Sequence, residues 1–454
     1  MCQGSIILWY TAALCEDFKA IAPICGTTTL EAEALEYTNR QGGWTGTSPF
    51  VFDILKYCDV QHLYGCFAPR PLLVQNNIVD HHWPYAIKYL QEIVDSGLTV
   101  DMVGRFEKEF CKAMGVKHCI SAPGCSNAIL ALAEALNFNP GDEVIFSPIT
   151  DYGTIMGFVK NNYIPVFADT APDSINVSAE TIEPCITDRT RAIVVVHKMG
   201  LMCDMDPIME LAKKHNLLVI EDVCQAIFSK YKGRLAGTIG DAAAFSFDCE
   251  KTMGSDIGGC FITNNDEIAN YARFRCQSRG AEIKEGFGRL HTVCGSAIRM
   301  PNCTAAINLA QLEILPDNVA KRDKAIRLIT EKLSTIPGII PEKIPKYQEV
   351  WSCWMAGFRI NPNVFDCSAD DFARECAELG ITGAGTGRYY LMPEACTFLD
   401  EYSKKKIYPY SMPPASYEYK YGPETCPNAK KYLEGDCETV YQIVREVAEK
   451  HYKK

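Results

Sequence analysis

Apolar positions recur at helical spacing through "AIKYLQEIVDSG" (86–97) and "VGRFEKEFCKAMG" (103–115), which predicts two amphipathic helices. Downstream, short apolar runs alternate with longer amphipathic ones. "HCISA", "VIFSP", "IPVFAD", "AIVVVH" and "LLVIED" read as strands; "AILALAEAL", "GTIMGFVKNN", "SAETIEPCI" and "DPIMELAKKHN" read as helices between them. Strands that alternate with helices predict an α/β fold, a mostly parallel sheet with helices on both faces. In such a sheet ligands sit at the carboxyl ends of the strands.

The chain before Pro84 follows a different pattern. A helix-like "ILWYTAALC" and a strand-like "FKAIAPICG" lead to a loop, "RQGGWTGTSPF", and then to a short strand "PLLV" whose following turn carries Asp80, His81 and His82. This stretch resembles the C-terminal half of an α/β-hydrolase of the dienelactone hydrolase or acetyl-xylan esterase kind, in which an acid follows such a strand. The family's nucleophile elbow would place Cys2 of "MCQGS" as the nucleophile. The strand that supports an elbow is missing, and no histidine segment follows the acid. Residues 1–84 are therefore expected to be a truncated, inactive hydrolase-like segment, with His81 and His82 as loop residues and not metal ligands.

A chain of 454 residues that is 47% hydrophobic has material for several cores. Three parts are expected: residues 1–84, a large domain over 85–330 and a smaller C-terminal α+β domain over 331–454. A net charge of -11 argues against nucleic acid or an anionic membrane as partner, since both reward clustered Lys and Arg. No apolar stretch reaches the roughly 20 residues of a membrane-spanning helix. The 22 cysteines lack paired CxxC spacing and no signal-type segment opens the chain, which predicts reduced thiols in a cytoplasm.

Three strand ends carry polar groups that could converge. "GCSNA" (124–128) offers backbone N–H groups and the Ser126 hydroxyl at a helix start, a ready phosphate site. "VIEDVCQA" ends a strand on Glu221 and Asp222 with Gln225 three residues further on, and "AFSFDCEKTMG" (244–254) places Ser246 five residues before Lys251. Taken singly, each has an ordinary reading: a helix cap, a serine turn, a surface lysine. In this order, a phosphate site, an acid and one lysine match the needs of pyridoxal phosphate, which takes a lysine for its Schiff base, an acid for its pyridinium nitrogen and donors for its phosphate.

From about residue 85 to the C-terminus the chain resembles the DegT/DnrJ/StrS aminotransferases, fold-type I pyridoxal-phosphate enzymes that mostly aminate keto-sugars. The resemblance is carried by "ALNFNPGDEVIF", "DMDPIMELAKKHNLLVIEDVCQA", "KGRLAGTIGDAAAFSF", "GGCFITNNDEIA" and "AAINLAQLEIL", among other segments. It implies that Lys251 binds the cofactor covalently, that Asp222 pairs with the ring nitrogen, and that Gln225 lies near the phenolic oxygen. Ser246 and Ser126, with Cys125 in the same turn, would face the phosphate. It further implies glutamate or glutamine as donor, a nucleotide-linked keto-sugar or a keto-cyclitol as acceptor, and a homodimer with a shared active site. A dehydrating relative has histidine in place of the lysine, so Lys251 favours amination. Three departures stand out. Asp151 occupies the register of an aromatic that stacks on the cofactor, leaving Tyr152 as the stacking candidate. Ala297 replaces an Asn that reaches the neighbouring subunit's phosphate, while Arg299 remains. "GITGAGTGRYYLMPEACTF" lacks the family's usual His-Tyr-x-Pro-Leu-His character. The alternatives are a cofactor-binding pseudoenzyme or damaged fusion and, last, an esterase built on the N-terminal segment.

Overall fold

The computed structural model describes residues 83–378, 389–413, 415, 419–434, 436–437, 448 and 451. The hydrolase-like reading, with Cys2, Asp80, His81 and His82, lies outside the described residues, as does 379–388.

Helices α1 (Trp83–Asp95) and α2 (Met102–Met114) come first. The start of α2 is set by Asp101, whose carboxylate accepts the Gly104 N–H at 2.8 Å, and its end by Gly115 at φ +71°. Its apolar stripe, Met102, Phe106, Phe110 and Met114, is buried, and Phe110 meets Phe245 and Phe247 edge-on at 5.2 and 5.6 Å.

The expected alternation then appears: β1 (His118–Ala122), α3 (Cys125–Leu136), β2 (Glu143–Phe146), α4 (Gly153–Lys160), β3 (Ile164–Phe167), the short α5 (Ala179–Ile182), β4 (Thr190–Val196), α6 (Met205–His215) and β5 (Leu218–Asp222). A small hairpin of β6 (Lys230–Tyr231) and β7 (Arg234–Leu235) precedes β8 (Ala242–Ser246), β9 (Gly259–Thr263) and α7 (Asp266–Ala272). Seven strands form one sheet in the order β1-β9-β8-β5-β4-β2-β3. Only β9 runs against its neighbours β1 and β8; the other pairs are parallel. Separate apolar clusters cover its two faces. This is the mostly parallel, helix-covered sheet that the pattern predicts.

A second hairpin, β10 (Ala281–Lys284) and β11 (Gly288–His291), leads into the long α8 (Asn302–Leu333). Beyond it, β12 (Ile339–Pro341), β14 (Phe358–Ile360) and β15 (Asp436–Cys437) form a three-stranded sheet with α9 (Ala369–Glu378) and a core of its own around Ile339, Phe358, Phe365 and Phe372. Helix α8 runs unbroken across the expected 330/331 boundary. Its first turns pack in the core beneath the large sheet and Leu333 packs in the small one. Among the described residues no helix is long and apolar enough to cross a membrane.

One connection between the two units bears on the site. Strand β13 (Gln348–Val350) pairs with β6, and the buried Gln348 side chain bridges the Gly200 carbonyl (2.7 Å) and the Met202 N–H (2.9 Å). The fully buried Trp351 donates its indole N–H to the Met199 carbonyl at 2.9 Å. Gly200 sits at φ +87°, and a Cβ there would lie 2.3 Å from the Ser352 carbonyl oxygen, so only glycine fits both the turn and the approach. This stitching carries Trp354 to the carboxyl edge of the large sheet.

Candidate active site

A cavity of about 560 Å³ opens at the carboxyl ends of β1, β2, β5 and β8. Lys251, Asp222, Gln225, Ser246, Ser126 and Cys125 all line it. Tyr152 and Arg299 are not among its lining residues. The Tyr152 ring is 41% exposed and packs edge-on against Phe398 at 6.0 Å. Arg299 and Ala297 are exposed.

Helix α3 starts inside this cavity. Gly124 is extended and supplies no capping side chain, and the first N–H groups of a helix have no intrahelical acceptor. They gather at an end where the helix dipole favours an anion. Gly259 in β9 lets this turn approach the sheet, for a Cβ there would stand 2.4 Å from the Cys125 nitrogen.

Asp222 ends β5 and is buried. Its Oδ2 accepts the Thr154 hydroxyl at 2.7 Å, and its Oδ1 accepts the Cys224 N–H at 3.1 Å. Thr154 also meets the Thr150 hydroxyl at 2.6 Å. Since Thr154 spends its one proton on Asp222, Thr150 donates to Thr154. Each carboxylate oxygen keeps a lone pair, so the group can accept one more donor from the cavity. Gln225 is held at both ends: its Oε1 accepts the Met199 N–H at 2.8 Å, and its Nε2 donates to the Tyr389 hydroxyl at 3.1 Å.

The neighbouring Glu221 does a different job. It is fully buried, and its oxygens accept the N–H groups of Gly237, Ile239 and Gly240 at 2.7–2.9 Å. His197 Nδ1 accepts the Cys203 N–H, which puts the ring proton on Nε2, 2.9 Å from Glu221. Burial raises the Glu221 pKa, but the His197 hydrogen bond and the Gly240 and Gly237 amides outweigh it and hold the carboxyl below its ordinary value. A depressed carboxylate pKa stabilises the fold above the unfolded value and loses that stabilisation as pH falls through the folded one. Glu221→Gln, which turns an NH2 toward hydrogen-bond donors, is expected to cost about 3 kcal/mol at neutral pH. Urea titrations at pH 7 and below pH 4 should show the deficit narrowing in acid; equal deficits at both would contradict an ionised Glu221.

Lys251 lies in the loop between β8 and β9, which Phe247 and Gly258 close with a 2.8 Å backbone hydrogen bond. Its Nζ stands 3.6 Å from the centroid of the Trp354 ring, and the Trp354 indole N–H donates to the Glu250 carbonyl at 2.9 Å. That contact holds the amine over an aromatic face. Tyr389 and Tyr390 complete the wall, anchored by the Ile149–Leu391 bridge and the Met392 N–H to the Pro148 carbonyl at 2.8 Å. Burial, with the Asp151 and Asp222 carboxylates, pushes the Tyr389 phenol well up, so its hydroxyl keeps its proton. The fully buried Lys198 sets its Nζ 2.6 Å from the Tyr389 ring centroid.

Thr150, Thr154, Trp354 and Tyr389 are site residues that sequence reasoning missed. The aromatic-rich "VWSCW" and "RYYLMP" were the available signal for the last two.

Three comparisons bear on this geometry. The model of the DegT/DnrJ/EryC1/StrS aminotransferase family matches residues 85–443. A GDP-perosamine synthase of Caulobacter vibrioides is 34% identical over 297 residues, 64% of this chain and 79% of that protein. The spore coat polysaccharide biosynthesis protein SpsC of Bacillus subtilis is 32% identical over 280 residues, 58% of this chain and 72% of its own length. Among solved structures, an aminotransferase from Psychrobacter cryohalolentis superposes with a TM-score of 0.67 at 26% identity, covering 80% of this chain and 94% of that one. With a lysine, a hydrogen-bonded acid and a helix start facing one cavity, and the family match spanning most of the chain, this protein belongs to the DegT/DnrJ/EryC1/StrS aminotransferase family.

Proposed function

We propose that the cavity binds pyridoxal phosphate and moves an amino group from glutamate or glutamine to a nucleotide-linked keto-sugar. The observation that carries this reading is the meeting of Lys251, Asp222 and the α3 start in one cavity. The donor set fits the cofactor. Uncapped N–H groups at α3, with the Ser126 and Ser246 hydroxyls, suit a phosphate; the spare lone pairs of Asp222 suit a protonated ring nitrogen; Lys251 suits a covalent bond to the aldehyde carbon. Once bound, the cofactor supplies an electron sink and a carrier for the amino group.

The side chains divide the remaining work. The Lys251 amine would take the proton from the donor's α-carbon and deliver one to the acceptor's carbon. Asp222, fixed by Thr154 and the Cys224 amide, would pair with the ring nitrogen. Gln225, held by the Met199 N–H and the Tyr389 hydroxyl, would lie beside the ring's oxygen. Trp354 and Tyr390 form an aromatic wall for the acceptor.

A homodimer accompanies this reading. The hairpin of β10 and β11 exposes Ile283 (80%) and Phe287 (69%), apolar side chains that a second subunit would cover. Arg299, on the exposed segment that follows, is then available to the neighbouring cavity.

Purified full-length protein should turn yellow with pyridoxal phosphate, lose that colour on addition of glutamate or glutamine, and regain it with a nucleotide-linked keto-sugar. Recovery with a keto-cyclitol alone would reassign the acceptor, and colour unresponsive to any donor would reduce the protein to a cofactor binder. Ser126→Ala removes one hydrogen bond to a charged group, a loss of about 1.5–3 kcal/mol, so cofactor affinity should fall at least about tenfold while turnover at saturating cofactor survives. An unchanged dissociation constant would place the phosphate elsewhere.

A further inference from the structure

Cys125 and Cys224 are far apart in the chain, yet their sulfurs lie 2.9 Å from each other. Cys125 is the first residue of α3, and Cys224 is the second residue after Asp222. Both are half-buried free thiols, and both line the cavity. Cys119, Cys203, Cys260 and Cys276, by contrast, are fully buried in the apolar interior, where a cysteine serves as a small hydrophobe. Two thiols in contact on the wall of an open, polar cavity can instead be reached by small reagents.

We propose that Cys125 and Cys224 form an oxidisable dithiol site within the cofactor cavity, which a low-molecular-weight disulfide such as glutathione disulfide converts to a Cys125–Cys224 disulfide, and that this oxidation and cofactor binding oppose each other. The formation of the bond is independent of the functional reading above; the opposition to cofactor rests on it.

The two sulfurs are not equivalent. The Cys125 contact, burial and the Asp222 carboxylate push the Cys224 thiol well up, so Cys224 holds its proton. Cys125, at the head of α3 on the cavity wall, is the sulfur that attacks. Its thiolate displaces one glutathione thiolate from glutathione disulfide, leaving a mixed disulfide on Cys125. Cys224 then gives up its proton and attacks the Cys125 sulfur, and the second glutathione leaves. Two protein thiols lose two electrons, one disulfide gains them, and the two protons end on two glutathione thiols.

The same geometry links the pair to the cofactor. Closing the sulfurs to a bond of about 2.05 Å draws the head of α3 toward the end of β5. That shifts the N–H groups offered to the phosphate, together with the Cys224 N–H that fixes Asp222 Oδ1 at 3.1 Å. A cofactor seated there would occupy the cavity that both cysteines line. Each event therefore disfavours the other by the same factor.

The full-length protein, with and without saturating pyridoxal phosphate, is exposed to glutathione disulfide and mapped by non-reducing peptide mass spectrometry. The expected result is a linked Cys125–Cys224 peptide pair that forms at least about tenfold more slowly with cofactor. The oxidised protein should bind cofactor at least about tenfold more weakly, and dithiothreitol should reverse this. Cys125→Ser, or Cys125→Ala should the first fail to fold, lacks the attacking thiol and should show no change in its own cofactor affinity on oxidation, whereas Cys224→Ala should stop at the mixed disulfide on Cys125. Absence of the linked peptide, equal rates with and without cofactor, or an oxidant effect undiminished in the Cys125 variant would overturn the proposal. A linked peptide in a protein with no affinity for pyridoxal phosphate before oxidation would overturn the functional reading and leave the dithiol standing.

Discussion

Lys251→Ala is expected to fold, to keep binding pyridoxal phosphate and to lose turnover on the order of 10⁴-fold, the upper end of what a positioned acid–base group contributes. The fold should survive because the loop's closure does not use the side chain: Phe247 pairs with Gly258, and the Lys251 N–H donates to the Asp248 carbonyl at 2.9 Å. Binding should survive because the α3 start and Asp222 remain. What disappears is the one lysine amine among the described residues that line the cavity. An unperturbed lysine, with a pKa near about 10.4, is protonated at neutral pH and is no base; covalent attachment to the cofactor would supply it uncharged. Borohydride reduction and peptide mapping of the parent should find the pyridoxyl group on Lys251. A label on another lysine, or turnover by the variant close to that of the parent, would remove Lys251 from the mechanism.

Asp222→Asn should fail differently. Both carboxylate oxygens already accept a donor, one from Thr154 and one from the Cys224 amide. Whichever way the new amide is turned, its NH2 faces one of these donors, and the ring nitrogen loses its anionic partner. We expect cofactor to bind and proton removal to slow by about 10³-fold, the scale of losing one well-placed electrostatic partner in a closed site. Exchange of the glutamate α-proton in deuterated water, followed by NMR, reads that step without any acceptor. Exchange at the parent rate would show that Asp222 serves the fold and not the chemistry.

Much of this could be read along the chain because it is local. Period and turn chemistry give β1 to β5 and the helices between them, since each buries one face of a short segment. Lys251, Asp222 and the α3 turn carry enough spacing information to be singled out together. The reversed direction of β9 was not legible: an apolar run predicts a strand, and its polarity depends on how the β8–β9 loop closes. Trp354 and Tyr389 escaped for a related reason. They reach the cavity through contacts with Met199, Gly200 and Pro148 that join residues far apart in sequence. Thr154 looks like any helical threonine until Asp222 is placed 2.7 Å away. Tyr152 shows the opposite case, an aromatic at a suggestive position whose ring the helix start turns toward Phe398.

The stitching of residues 348–354 has a mechanical meaning. By chain order Trp354 belongs with the C-terminal unit, but by attachment it belongs to the large sheet, because Gln348 and Trp351 are fastened to the Met199–Met202 turn. A displacement of the small unit would therefore be taken up after Trp354, in the short link before β14, and along α8, which also joins the two units. The indole over Lys251 would stay with the large sheet.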